Sequence, residues 1–425
     1  MAPHLLIIDA NLPGIDTIAV AKRRGLQVSF IRSGYRKYPQ TQSVRNIVYM
    51  ADALLTIADS SNETSLHQAV AALHGFNPID AAVCLLEPSL DTAARVCARL
   101  DIPFTDTTAV AAARDKFETR ARLRAAGLRM PRCYRVNNAE EARAAAAAIG
   151  GPVVVKPQTG YDSLLASIAG DPDQAACAAG QLQKEIRRLP PQLWQQLRRG
   201  ILIEEYVSGP LISAEIGIRD GHVYRFMLSD HARAHLDECV EIGASMPADL
   251  DARQSEAAYT YAEEVLRILG LDLGIFHIEM IVSSEGPVLV EANARLMGGI
   301  MPAIYRNLTG EDIQDRLLDL HLGEPLADRP DFCGCVAGRT IMPADDGQLP
   351  ADCDLSWLQA IDRLLPEDVE LVDCTVYQLA PDTVVRSLDL LASFQLRAAS
   401  CNKAVQAADD LLMEFETRLR IPLMR

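Results

Sequence analysis

The stretch GIFHIEMIVSSEGPVLVEANARLMGG, residues 274–299, constrains the fold of this chain more than any other. Two apolar runs flank the turn signal Ser283-Ser284-Glu285-Gly286-Pro287, the pattern of a β-hairpin. Strand alternation puts His277, Glu279 and Ile281 on one face of the first strand, and Glu291 and Asn293 on one face of the second. With the turn centred near Glu285, Glu279 and Glu291 oppose each other across the ladder. Like charges so placed destabilise a sheet, and the flanking Ile, Met, Val and Leu leave little water to screen them. A shared proton, a nearby lysine or a divalent cation would neutralise the pair. Three oxygen donors, from Glu279, Glu291 and Asn293, suit a hard ion such as Mg²⁺, which usually completes its shell with water and substrate phosphates. The bland alternative is a solvated hairpin face, which shows the same alternation.

The 425 residues suggest two to four domains at about 150 residues each. With 49% hydrophobic and 23% charged residues the composition is that of a folded globular chain. A net charge of -16 argues against an extended nucleic-acid footprint or an anionic membrane surface as partner. No apolar run approaches the roughly 18 residues of a membrane helix, and Met1-Ala2-Pro3-His4 does not open a secretory signal, so the expected location is cytoplasmic. The ten cysteines are scattered without a C-x-x-C pair, and Cys333-Gly334-Cys335 is too tight for usual zinc spacing; they read as core or surface thiols.

Residues 5–8 read as a buried strand, 15–24 as a helix stopped by Gly25, and 26–31 as a second strand. Together with a strand over 81–86 and a helix over 90–100, they predict an open parallel sheet across residues 1–108. The turn after the first strand, Asp9 to Gly14, lacks the three-glycine dinucleotide fingerprint. One helix is predicted over 109–128 and another over 139–149, the latter opened by Asn138 with Glu141 and closed by Gly150-Gly151-Pro152. Val153 to Pro157 reads as a buried strand carrying Lys156, whose charge must reach solvent or meet an anion. A polar helix or helix pair is expected over 174–199 and a strand over 201–207. Between Ser229 and Pro247 lie His231, Arg233, His235, Asp237, Glu238 and Glu241, without clear periodicity. Strand-like stretches at 336–342, 369–378 and 383–387 precede an amphipathic helix over 402–418. There is no internal repeat and no long linker, so the domains are expected to pack together.

Several of these residues, taken in order, resemble the ATP-grasp ligases over residues 109–305. They are Asp115-Lys116 with Arg120 and Leu123, Val155-Lys156-Pro157, Gly160 with Ser163, Glu204 to Val207, and finally Glu279, Glu291, Asn293 and Arg295. The resemblance implies an α/β ATP-grasp fold with an N-terminal Rossmann-like open parallel α/β domain (1–108), an ATP-grasp domain (109–328, lid 131–208) and a small C-terminal α/β domain (329–425). It implies that Lys116 and Lys156 reach ATP phosphates, with Gly160 and Ser163 in the covering loop and Glu204, Glu205 and Val207 at the adenine hinge. It implies one or two Mg²⁺ ions, replaceable by Mn²⁺, on Glu279, Glu291 and Asn293. Arg295 joins Lys156 as catalytic, and Arg233, Arg295, Gly298 and Gly299 face the substrates.

Two departures stand out. Leu164-Leu165 follow Ser163 where relatives tend to have a glycine, and Leu211 stands where relatives commonly carry an acidic residue for the ribose hydroxyls, leaving Glu205 or Glu215 as substitutes. The implied activity is ATP-dependent carboxylate-amine ligation through an acyl phosphate, releasing ADP and phosphate, on small carboxylates and amines such as amino acids, by a homodimer. The alternatives are a biotin-carboxylase-like or nucleotide-biosynthesis enzyme of the same fold, and a nucleotide-binding regulatory protein without turnover.

Overall fold

The computed structural model describes residues 2–34, 41–160, 165–189, 194, 197, 199–235, 237–327 and 330–425. The N-terminal segment is the expected parallel sheet. Strands β1 (His4–Ala10), β2 (Gln27–Ser33), β3 (Ala53–Ile57) and β4 (Ala81–Leu85) lie in the order β3-β2-β1-β4. All pairs are parallel. β1 and β4 are buried throughout, as near-continuous apolar runs require when helices cover both faces. The helices Asp16–Arg23 and Leu90–Arg99 fall where predicted, each entered through a short 3₁₀ turn. At the carboxyl end of β1 the buried Asp9 accepts hydrogen bonds from the hydroxyls of Ser33, Ser60 and Ser89, which tie four strand ends together.

The helix predicted over 109–128 is two helices, Thr107–Arg114 and Lys116–Ala125. Asp115 breaks it: its backbone is extended and its side chain accepts from the amides of Phe117 and Glu118, capping the second helix. The Ala-rich helix is Ala139–Ile149, capped by Asn138, and the polar helix is Pro172–Arg188. Four strands, β5 (Cys133–Val136), β6 (Val153–Pro157), β7 (Ser167–Ala169) and β8 (Ile201–Glu205), pair antiparallel in the order β5-β8-β6-β7. Under the two helices they enclose a small apolar core of their own. These elements occupy the span 131–208 that the resemblance assigns to a lid.

The main sheet has eight strands. β9 (Leu211–Arg219), β10 (His222–Arg233), β11 (Glu241–Met246), β12 (Gly274–Ser283) and β13 (Gly286–Asn293) come from the central region, followed by β14 (Cys335–Ile341). A ribbon of β15 (Gly347–Gln348) and β17 (Val384–Val385) stands apart, while β16 (Glu370–Val376) and β18 (Ala392–Ala398) complete the order β13-β12-β9-β10-β11-β14-β18-β16. Two expectations change here. The aperiodic stretch 229–247 is the end of β10 and all of β11, hidden because bulges shift the register near Arg225 and Arg233. The C-terminal strands do not form a sheet of their own. They hydrogen-bond onto β11 through β14, so the sheet runs across the expected boundary at 328/329, and the helix Cys401–Leu419 packs on β14 and β18.

Candidate nucleotide and metal site

The hairpin forms as the alternation predicted. β12 and β13 pair antiparallel with Glu279 opposite Glu291 and His277 opposite Asn293, and one extra residue in β13 near Val290 shifts the register below that pair. Both carboxylates line a cleft between the main sheet and the small one. Lys116, Lys156, Gly160, Glu204, Glu205, Val207 and Arg233 line the same cleft. Residues far apart in sequence thus line one cleft.

Each lysine is matched by a carboxylate. Lys116 starts its helix at the floor of the cleft and donates from Nζ to Glu291 Oε1 at 2.6 Å and to the Gly160 carbonyl at 3.0 Å. Its position is fixed twice over. The Lys116 amide donates to the Gln158 carbonyl, and Gln158 Nε2 donates to the capping carboxylate of Asp115. Lys156, on buried β6, meets Glu204 of β8 at 2.6 Å, and Arg120 bonds the same carboxylate through Nε and Nη2. The anion that Lys156 needed is thus Glu204. Burial alone would raise the Glu204 carboxyl, but the charges of Arg120 and Lys156 outweigh it and hold it down at about 2. Arg120 also donates to the Val290 carbonyl at 2.6 Å, joining the lid to the hairpin.

Glu279 sits in a second polar network. His277 Nε2 lies 3.2 Å from its Oε1, to which Asn293 Nδ2 also donates at 2.9 Å. Burial opposes the charged carboxylate, yet the hydrogen bond and charge of His277 bring Glu279 to about 2. Burial would likewise depress His277, but Glu215, bonded at Nδ1, and Glu279 push it up to about 10. Glu291 moves the other way: burial wins over the Lys116 charge and its carboxyl is raised. His231 bridges Glu241 and Ser213 beside this network, its ring 5.7 Å from that of His277. His231 stands on a strand and both ring nitrogens are engaged, while the backbone of His235 donates to the Arg425 carbonyl.

Among the described residues no three His, Cys, Asp or Glu side chains form a metal cage. Two opposed carboxylates with one amide oxygen are the sparse hard set that Mg²⁺ takes when phosphates and water supply the rest. The donors fit that ion.

Other predicted residues fall elsewhere. Glu215 does not line the cleft; it is fully buried on β9 against His277 and cannot stand in for a ribose ligand. Glu205 lines the rim but pairs with Arg132. Ser163 and Leu164 lie outside the described residues. Arg295 lies just behind the cleft, its Nε 3.3 Å from Glu87 Oε2 and its Nη1 donating to the Leu296 carbonyl. Gly298 adjoins it, since a Cβ there would stand 3.6 Å from Arg295 Nη1, and Gly299 follows at a φ of +58°. Arg233 lies on the rim, donating to the Gly209 carbonyl and pairing with Glu238. Sequence reasoning passed over Glu87, which arrives from the turn after β4, far from any motif, and also holds Arg114. It passed over the Glu215–His277 pair too, although His277 shares the predicted face with Glu279.

Two sheets closing on a lysine-lined cleft, with paired carboxylates on a terminal hairpin, define an ATP-grasp architecture, and the chain carries an ATP-grasp domain. The ATP-grasp domain profile matches residues 149–303. An alanine–anticapsin ligase of Bacillus subtilis is 24% identical over 345 residues, covering 74% of this chain and 72% of that one. An uncharacterized protein of Sinorhizobium fredii, y4rH, is 27% identical over 64% of this chain, which spans about half of it, 54%. Among solved structures, an L-amino acid ligase from Bacillus licheniformis superposes with a TM-score of 0.77 at 18% identity, over 99% of this chain and 98% of that one, which shows a shared fold. No helix among the described residues is long and apolar enough to cross a membrane.

Proposed function

We propose that this chain is an ATP-dependent carboxylate-amine ligase that joins amino acids or close analogues into an amide and releases ADP and phosphate. The observation that carries the reading is the pairing of Lys116 with Glu291 and Lys156 with Glu204 in one cleft. Two buried lysines line one cleft with carboxylates able to carry a divalent cation, the groups that phosphate binding calls for. The relatives named as amino-acid ligases support the choice of amide formation over bicarbonate or formate chemistry.

In this reading Lys116 and Lys156 orient the phosphates, Gly160 lets backbone approach them, and the Glu205–Val207 segment receives the adenine. Glu279, Glu291 and Asn293 would hold Mg²⁺, which when bound neutralises charge on the phosphates. A substrate carboxylate attacks the γ-phosphorus, the bond to the β-γ bridging oxygen breaks, and ADP leaves. The amine then attacks the acyl carbon and phosphate departs with its oxygen. Arg295, held in place by Glu87, stabilises the negative oxygen that develops at that carbon. Gly298 and Gly299 leave room beside it for substrate, and a homodimer is the assembly this reading carries.

The test is ADP and phosphate release from ATP and Mg²⁺ against single amino acids and then pairs, with mass spectrometry of the products. An amide that appears only with a particular pair supports the ligase; ATP binding with no ADP from any pair would turn the reading toward a nucleotide-binding regulator.

A further inference from the structure

We propose that Cys335 and Cys401 form a modification site in the C-terminal segment, a pair of thiols that hydrogen peroxide converts to a reversible disulfide stapling the helix Cys401–Leu419 to the sheet beneath it. The inference is independent of the nucleotide reading, since neither residue lines the cleft.

The fold brings the two sulfurs together from both flanks of β14. Cys335 is the first residue of that strand, fully buried, and pairs across the ladder with Ala398, the last residue of β18. Only Ala399 and Ser400 lie between Ala398 and Cys401, which opens the helix that turns back over β14. The corner is tight: a Cβ on Gly334 would stand 2.5 Å from the Ala398 carbonyl oxygen, and Gly334 takes a φ of +76°. On the other flank Val336 pairs with Met246 of β11, which leads the backbone to Pro247 beside Cys335. Cys401 Sγ lies 3.3 Å from the Pro247 carbonyl oxygen. A thiol anchored there stands over the start of β14, and it shares a hydrogen bond with Cys335.

The chemistry divides between the two sulfurs. Cys401 is half-buried, within reach of a small oxidant, whereas Cys335 is closed off. Thiolate is the reactive form. The hydrogen bond from Cys335 favours it at Cys401 and holds that thiol below its ordinary range, against burial and the charges of Asp249 and Asp230. The same bond, followed by burial, keeps the proton on Cys335. Burial without such a partner makes thiols inert, as at Cys97, pushed up to about 12. In the first step the Cys401 thiolate attacks a peroxide oxygen, the O–O bond breaks, and the departing hydroxide takes up the Cys401 proton as water, leaving a sulfenic acid. The Cys335 sulfur then attacks the Cys401 sulfur, the S–O bond breaks, and hydroxide leaves as water with the Cys335 proton. Two thiols and one hydrogen peroxide thus give one disulfide and two waters, and an added dithiol reverses the bond by exchange.

The experiment treats the reduced full chain with one equivalent of hydrogen peroxide, counts free thiols, and maps cross-linked peptides by mass spectrometry without reduction. Two of the ten thiols should be lost, in one cross-link between Cys335 and Cys401, and dithiothreitol should restore both. Cys333→Ser should keep the cross-link, which assigns the bond to Cys335 and not to its exposed neighbour, and Cys401→Ser should abolish it. Because the bond closes the long loop between the two residues, the oxidised wild type should melt about 3 °C or more above the reduced form. Ten thiols left unchanged, a cross-link through Cys333, Cys401 carried on to a sulfinic acid with Cys335 still a thiol, or an oxidised chain that melts no higher would each overturn the proposal.

Discussion

Glu204 and Glu291 show at the scale of single residues how buried charge is matched here. Removing the Glu204 carboxylate leaves Arg120 and Lys156 buried against nothing, so Glu204→Ala should cost about 3–5 kcal/mol in urea unfolding, as breaking a buried pair does. The folded pKa of Glu204, about 2, lies below its ordinary 4.5, so its stabilisation is complete above the ordinary value and is lost as pH falls through the folded one. The urea midpoint should therefore drop between pH 4.5 and 2 more steeply in the wild type than in Glu204→Ala; parallel curves would contradict the pairing. Glu291→Gln should reduce Mg²⁺-dependent ADP formation by about 100-fold or more, the scale of losing a transition-state contact, and also lower the melting temperature, since it leaves Lys116 buried without its counter-charge. An unchanged rate would take the hairpin out of the chemistry. Glu279, Glu291 and both lysines were legible because strand alternation and motif order act over a few residues. Glu87 was not, since it reaches Arg295 only through the packing of one segment on another.

Among the elements, the separate helix at Lys116 and the join between β11 and β14 matter most. Asp115→Ala removes the cap and the acceptor for Gln158, at a cost of about 1 kcal/mol for the cap, and frees Lys116 from its register. ATP affinity should fall with the melting temperature, and a loss of stability alone would assign Asp115 to the fold only. At the join, a Cβ on Gly243 would stand 2.0 Å from the Gly338 carbonyl oxygen, so the strands meet only because that position has no side chain. Gly243→Ala should cost about 3 kcal/mol or more, read by chemical denaturation. Helices with clear caps and strands with uninterrupted apolar runs were predictable. The break at Asp115 was missed because Ala, Arg and Leu run on either side of it with good helix propensity, and only the capping role of Asp115 stops the ladder.

For the whole molecule, the continuous eight-stranded sheet sets what can be separated from what. A chain ended at residue 330 would lose β14, β16, β18 and the C-terminal helix, bare the edge of β11 and uncover Ala234 and Ile242, which are buried in the core those elements form. It should aggregate, and a soluble monodisperse 1–330 fragment in size exclusion would argue for an independent C-terminal unit after all. The parallel sheet of the first segment was readable from sequence; the sharing of one sheet by the central and last segments was not, because pairing partners are set by long-range register. The ion pair between Lys116 and Glu291 carries a last consequence, for cooperativity. A polyanion entering alone takes Lys116 from Glu291 and leaves a buried carboxylate without its counter-charge, whereas one arriving with a divalent cation supplies the replacement. If the proposed function holds, ATP and Mg²⁺ are linked ligands of one exchange. The factor by which the cation tightens ATP must equal the factor by which ATP tightens the cation, and that shared factor should shrink when Glu291 is replaced by glutamine.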